Sequence, residues 1–253
     1  MGYKEGALEL YEYMSKVQSL LSIVAEQDKP EIDKAIDLIT DANLNKHSVY
    51  VFGASHAGIL AQEMFYRAGG MITINAIFGR EIMLDRSPIT FTSDMERLVG
   101  YGTALANTVS FKKDDVLILH SVSGRNPVII DLALASKKQG VKIIGLTNLT
   151  YSKTVSSRHP SGKRLFELSD IVLDNHGDIG DAAVQLDGAP QKVGPTSTVV
   201  GAAILNTIIT ESSQRIVNKT GEAPVFYSAN LDDGDAKNAH LVEEYKDMIH
   251  YKF

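Results

Sequence analysis

Two short segments carry residue types that hold an anion: Gly53-Ala54-Ser55-His56-Ala57-Gly58 and His120-Ser121-Val122-Ser123-Gly124-Arg125-Asn126-Pro127. Each follows an apolar run, Ser48-Val49-Tyr50-Val51-Phe52 or Val116-Leu117-Ile118-Leu119, and each precedes a helix-like segment. A short Val/Ile/Leu run reads as a buried parallel strand, and the turn after it lies at the strand's carboxyl end, where open α/β sheets bind ligands. Helix N-termini add free N–H groups and partial positive charge, and serine hydroxyls donate from a short stem. Such turns can hold a phosphate without a dedicated lysine. A third hydroxyl cluster, Pro195-Thr196-Ser197-Thr198, opens another helix-like run.

Other chemistries fit these residues less well. Gly53 and Gly58 frame a turn between strand and helix, as in a dinucleotide fingerprint. Ser55, however, replaces the middle glycine, and Asn75 stands where a ribose-binding acid is expected. Gly53-Ala54-Ser55-His56-Ala57 also looks like a nucleophile elbow with Ala for its last Gly, but a hydrolase would leave the second serine turn without a purpose. Ser and Gly also cap helices and close loops with no ligand at all. Three hydroxyl clusters together favour a shared anion over that plainer account. His56 could carry a proton near neutral pH or merely cap its turn, and His120 reads as a strand-end residue. Arg125 could counter a phosphate's charge. His176, Asp178 and Asp181 have spacing that could hold a cation, yet with no matching ligand cluster elsewhere they read as a solvated loop. No metal site and no cofactor is expected.

The positioning elements follow from hydrophobic periodicity. Tyr3, Ala7, Leu10, Met14, Val17, Leu21 and Val24 step alternately by four and three, one stripe of an amphipathic helix, either covering the domain's own core or packing on a second copy. Pro30-Glu31 opens a second helix with Ile32, Ala35, Ile36 and Ile39 on one face. From Val49 onward strands and helices alternate: a helix near 57–68, a strand at 71–74, a helix near 95–107, the Val116 strand, a helix at 127–138, a strand at 141–146 and a short one at 171–173. Repeated β-α-β wiring predicts a three-layer α-β-α sandwich around a doubly wound, mostly parallel five-stranded sheet, with N-terminal helices added. A helix from about Pro195 to Ile216 follows, then a polar end with apolar spacing at Leu241, Tyr245 and Met248. The expected divisions are a helical extension over 1–45, the α/β domain over 46–220 and a tail over 221–253 that packs on the domain or on a partner subunit.

Composition narrows the function classes. The 253 residues are 44% hydrophobic and 22% charged with a formal charge of −6, an ordinary globular balance without the basic face that general nucleic-acid binding needs. The absence of cysteine excludes disulfides, thiolate nucleophiles and Cys-type metal sites, and fits a cytoplasmic address. The start lacks a signal peptide's apolar region, and the longest apolar stretch, around Val199 to Ile209, is too short to span a bilayer.

Over about residues 45–215 the sequence resembles the sugar isomerase (SIS) domain, a phosphosugar-binding fold of flavodoxin-like architecture. Ser121-Val122-Ser123-Gly124 looks like its second phosphate loop, Gly53-Ala54-Ser55-His56 like its first, and Pro195-Thr196-Ser197-Thr198 like the start of the helix beside the ligand. Glu63-Met64-Phe65-Tyr66-Arg67-Ala68-Gly69-Gly70 and Ser123-Gly124-Arg125-Asn126-Pro127 are similar to a bacterial branch labelled either as uncharacterised SIS-domain proteins or as phosphoheptose isomerases. The resemblance implies that Gly53, Ser55, Ser121, Ser123, Gly124, Asn126, Thr196 and Ser197 bind a phosphorylated sugar in a homodimer or homotetramer. It implies aldose/ketose isomerisation through an enediol, which needs a base, and His240 entering from a neighbouring subunit as in some family members. On position, Glu63, two to three turns into the helix that begins at the first loop, is the leading base or else a solvated face residue, and His56 could orient a sugar hydroxyl or cap its loop. A non-catalytic phosphosugar sensor and an amino-sugar phosphate lyase or etherase use the same grip. Residues 1–45 offer no basic recognition helix, which favours an enzyme over a DNA-binding sensor.

Overall fold

The computed structural model describes residues 11–252. Its centre is an all-parallel five-stranded sheet of β1 (Val49–Gly53), β2 (Ile74–Ala76), β3 (Val116–His120), β4 (Lys142–Thr147) and β5 (Ile171–Asp174), in the order β2-β1-β3-β4-β5. The central strands are buried on both faces, which is why they read as unbroken apolar runs. On one face lie α1 (Glu12–Gln27), α2 (Lys29–Leu44), α3 (Ile59–Met64) and α8 (Ser197–Thr220), sharing an apolar layer with Val51, Ile118 and Ile144. On the other lie α4 (Phe91–Arg97), α5 (Tyr101–Ala106) and α6 (Pro127–Lys137), packed on Phe52, Leu117 and Leu119. Alternate residues of one strand thus serve opposite layers, giving the expected three-layer sandwich.

The N-terminal stripe is only partly as predicted. Leu20 and Val24 are the buried positions of α1 and Met14 is exposed, while Tyr3, Ala7 and Leu10 lie outside the described residues. α2 buries Ile32, Ala35, Ile36 and Ile39, as its periodicity requires.

Three departures have local causes. The helix expected to reach residue 68 ends at Met64, because Phe65 turns extended and packs edge-on against Phe78 and Tyr251, while Tyr66 adopts a positive φ and packs on Phe226. The strand expected at 71–74 begins at Ile74; Met71 instead pairs antiparallel with Val225, and Ile72 N–H donates to the Pro224 carbonyl at 2.7 Å. The single helix expected over 95–107 is two, broken at Gly100, whose φ is +94° and whose N–H donates to Asp131 at 2.6 Å. Beyond the expectations lie α7 (Leu149–Thr154) and an antiparallel hairpin, β6 (Ala182–Gln185) and β7 (Lys192–Pro195). The hairpin rests on α1, with Tyr13 Oη donating to the Pro195 carbonyl at 2.7 Å. The C-terminal segment carries α9 (Gly234–Glu244) and then covers the β2 edge: His250 stacks on Tyr50 and its N–H donates to Asn75 at 2.7 Å. No helix among the described residues is long and apolar enough to cross a membrane.

Candidate functional site

The strand order reverses between β1 and β3, so the turns after these strands leave neighbouring positions at the carboxyl edge of the sheet. Gly53 and His120 are register partners at that edge. In doubly wound sheets this reversal is where ligands lodge.

The first turn is a single 3₁₀ turn over Ser55–Gly58 that runs into α3. Ser55 has φ +50°, a left-handed backbone that costs a non-glycine residue energy and is common at functional turns. A Cβ at Gly53 would stand 2.3 Å from the Ala57 carbonyl oxygen, so glycine here lets the turn fold back on its own strand. A narrow crevice of about 10 Å³ beside it is lined by Ser55, Gly58 and Gln62, with Phe78 and Met83 also on it. His56 is exposed on the turn.

The second turn is fastened to the end of β4. Ser121 N–H donates to Leu146 O at 3.1 Å, and Val122 O accepts from Asn148 N–H and from the Thr147 hydroxyl, both at 3.0 Å. Gly124 has φ +60°, and its N–H donates to Ser121 Oγ at 3.2 Å. The backbone N–H groups of Val122, Ser123, Arg125 and Asn126 and the Ser123 hydroxyl have no partner among the described residues. They precede the 11-residue helix α6, whose partial positive charge adds to the attraction. The turn is thus rich in free donors and fixed to its scaffold. Asn126 contributes less than its position suggests: its amide donates to Glu96 at 2.7 Å and its carbonyl accepts from Arg158 at 2.9 Å.

His120 joins the two turns. Its Nδ1 lies 3.0 Å from the Ala57 carbonyl, which can only accept, so Nδ1 carries the proton and the buried Nε2 is a bare acceptor without a partner. Burial pushes its pKa below the ordinary imidazole range, against the opposing pull of the Ala57 carbonyl and Asp181.

Several expected residues sit elsewhere. At the α8 N terminus Asp181 already takes the Thr196 and Ser197 N–H groups at 3.2 and 2.8 Å and the Ser197 hydroxyl at 2.6 Å. Glu63 pairs with Arg67 one turn on and accepts from Asn206 of α8 at 3.2 Å; the α3 residue on the Ser55 crevice is Gln62. Gln62 stands two helical turns after Ser55, a spacing that would have identified it. His240 lies on the exposed side of α9, 4.0 Å from Glu222. In the loop after β5, His176 binds Asp28 at 2.5 Å, Asp178 meets Lys16 and Lys192, and Asp181 caps α8, so the three side chains diverge.

A parallel sheet in this order, with turns at the β1–β3 reversal, defines a doubly wound α/β domain. The profile of the SIS domain matches residues 12–148, and the chain belongs to the SIS domain family. Along its whole length it is similar to UPF0309 proteins. That of Shouchella clausii is 50% identical over 240 residues, covering 95% of this chain and 98% of the relative. That of Oceanobacillus iheyensis is 49% identical with the same coverage. A phosphoheptose isomerase from Francisella tularensis shares the fold, with TM-score 0.54 and 16% identity over 80% of this chain and 95% of that one.

Proposed function

We propose that the protein binds a phosphorylated sugar, with the phosphate on the turn after β3 and the sugar extending toward Ser55, and that it moves a proton between adjacent sugar carbons. The observation that supports this best is the run of unpartnered N–H groups at Val122, Ser123, Arg125 and Asn126, beside the strand-order reversal. Fixed backbone donors need no reorganisation when a dianion arrives. The fold shared with a phosphoheptose isomerase is consistent with that ligand class.

Isomerisation through an enediolate needs a group that takes a proton at one carbon and returns it at the next. Glu63 is engaged by Arg67 and Asn206, so the base falls to His56, exposed on the first turn. His240 acts only if assembly into dimers or tetramers brings it from a second copy, because within one chain it lies beside Glu222. A monomer in sedimentation velocity excludes that role.

A sensor that binds without chemistry is favoured by one observation, the engagement of the nearest carboxylate, Glu63. A thermal-shift panel of hexose, heptose and amino-sugar phosphates tests binding, since a ligand that prefers the native state raises the melting temperature with concentration. Uptake of solvent deuterium at C2 of a bound sugar separates the readings. We expect wash-in, lost by more than about a hundredfold in His56→Ala while binding persists. Binding without wash-in leaves the sensor; no binding removes both.

A further inference from the structure

Three arginines gather on the outer side of the second turn. Arg158 Nη1 donates to Asn126 Oδ1 at 2.9 Å, and its backbone N–H donates to the Arg125 carbonyl at 2.9 Å, which ties residues 158 and 125 together. Arg97, at the end of α4, is close enough to act on Arg158, as is the Arg125 guanidinium. Desolvation, and then these two like charges, hold Arg158 below the usual arginine range.

The nearby carboxylates offset part of this charge while making their hydrogen bonds to other groups. Glu96 faces Arg158 but accepts its hydrogen bond from Asn126 at 2.7 Å. Asp131 is taken by Gly100 N–H at 2.6 Å and by His159 Nε2 at 3.0 Å. The side chains of Arg97 and Arg125 form no hydrogen bond or ion pair with any described residue, and Arg125 Nε is buried without a partner. A buried guanidinium N–H without an acceptor is costly. In a chain of net charge −6, the exposed Arg97 and the half-buried Arg125, neither in an ion pair among the described residues, place positive charge beside a donor-rich turn, and the buried Arg125 Nε lacks an acceptor, an arrangement suited to an anion.

We propose that the sugar phosphate this protein takes carries a second acid group, a carboxylate or a further phosphate, received by Arg125 and Arg97 beyond the serine turn. The inference rests on the phosphosugar reading above and narrows it. The serine turn satisfies one dianion with hydroxyls and backbone N–H groups. The arginine fork matches the planar or tetrahedral oxygens of a second acid in two-point contact. A sugar monophosphate would leave both guanidiniums unmatched.

Affinities for two ligand pairs test this: fructose 6-phosphate against fructose 1,6-bisphosphate, and glucose 6-phosphate against 6-phosphogluconate, by calorimetry at low salt. In at least one pair the doubly acidic member should bind about tenfold tighter, the gain of one charge-assisted contact. Arg97→Gln should cut that ratio to below about threefold while leaving monophosphate affinity and the circular dichroism spectrum unchanged, and Arg125→Gln should cut the ratio to the same extent. Arg215→Gln, altering an arginine paired with Asp37 on the α2 side, should leave the ratio intact and so exclude a general charge effect. Equal binding within both pairs, or a preference that survives both substitutions, overturns the inference and leaves the phosphosugar reading standing. If none of the four sugars binds, the phosphosugar reading itself fails and takes the inference with it.

Discussion

A methyl group added at Gly53 would collide with the Ala57 carbonyl, backbone against backbone, with no flexible side chain able to give way. Gly53→Ala should therefore cost about 1–3 kcal/mol in urea denaturation, the range for overpacking, and weaken sugar-phosphate binding by deforming the first turn. Asp181 makes a second residue-scale prediction. Its carboxylate closes the N terminus of α8, so Asp181→Ala should lower stability by about 1–2 kcal/mol in the same assay. Were the Thr196 and Ser197 N–H groups part of the anion grip, that variant would bind sugar phosphate more tightly instead. His120 and the half-buried His250 are both held below the ordinary imidazole range, by burial first. An unfolded histidine titrates near ~6.5 and binds more protons there than these folded ones, so their contribution is complete above that pH and lost as the pH falls below it. Melting curves taken from pH 8 downward should show the decline, shallower in His250→Gln.

At the scale of elements, the departures from sequence periodicity share one physical origin. Helical propensity carries α3 only to Met64, because Phe65 and Tyr66 gain more by packing on Tyr251 and Phe226, residues far along the chain that no local window contains. The break at Gly100 likewise depends on Asp131, thirty-one residues on. Strands β1, β3 and β4 were legible because burial on both faces leaves a continuous apolar run, whereas the β6–β7 hairpin is half-exposed and polar and gives no such mark. The tail contributes as an element too: Tyr251 Oη donates to the Ile72 carbonyl at 2.7 Å while its ring packs on Phe65. Tyr251→Ala should cost about 2 kcal/mol, below the range for a fully buried aromatic ring because this one is half-buried. Hydrogen exchange should rise at β2 before the other strands.

For the whole molecule, the α/β wiring and the two serine turns were readable from residue types alone, since strand, turn and helix signals coincide there. The division of labour around them was not. Sequence spacing gives no direction for a helix side chain relative to distant neighbours, so Glu63 looked available when Arg67 and Asn206 hold it, and Gln62 went unnoticed. At Thr196 and Ser197 the N–H groups and the Ser197 hydroxyl are held by Asp181, which comes from the loop before the hairpin, while the Thr196 hydroxyl is buried without a partner among the described residues.

The covering of β2 by the final residues also has a kinetic side. A ribosome emits the chain in order, so β2 is made early while Met248, His250 and Tyr251, which cover its edge, follow some 170 residues later. Throughout synthesis that edge waits uncovered, open to contact with another nascent chain. Aggregation during expression should therefore fall most when early release of truncated products is suppressed.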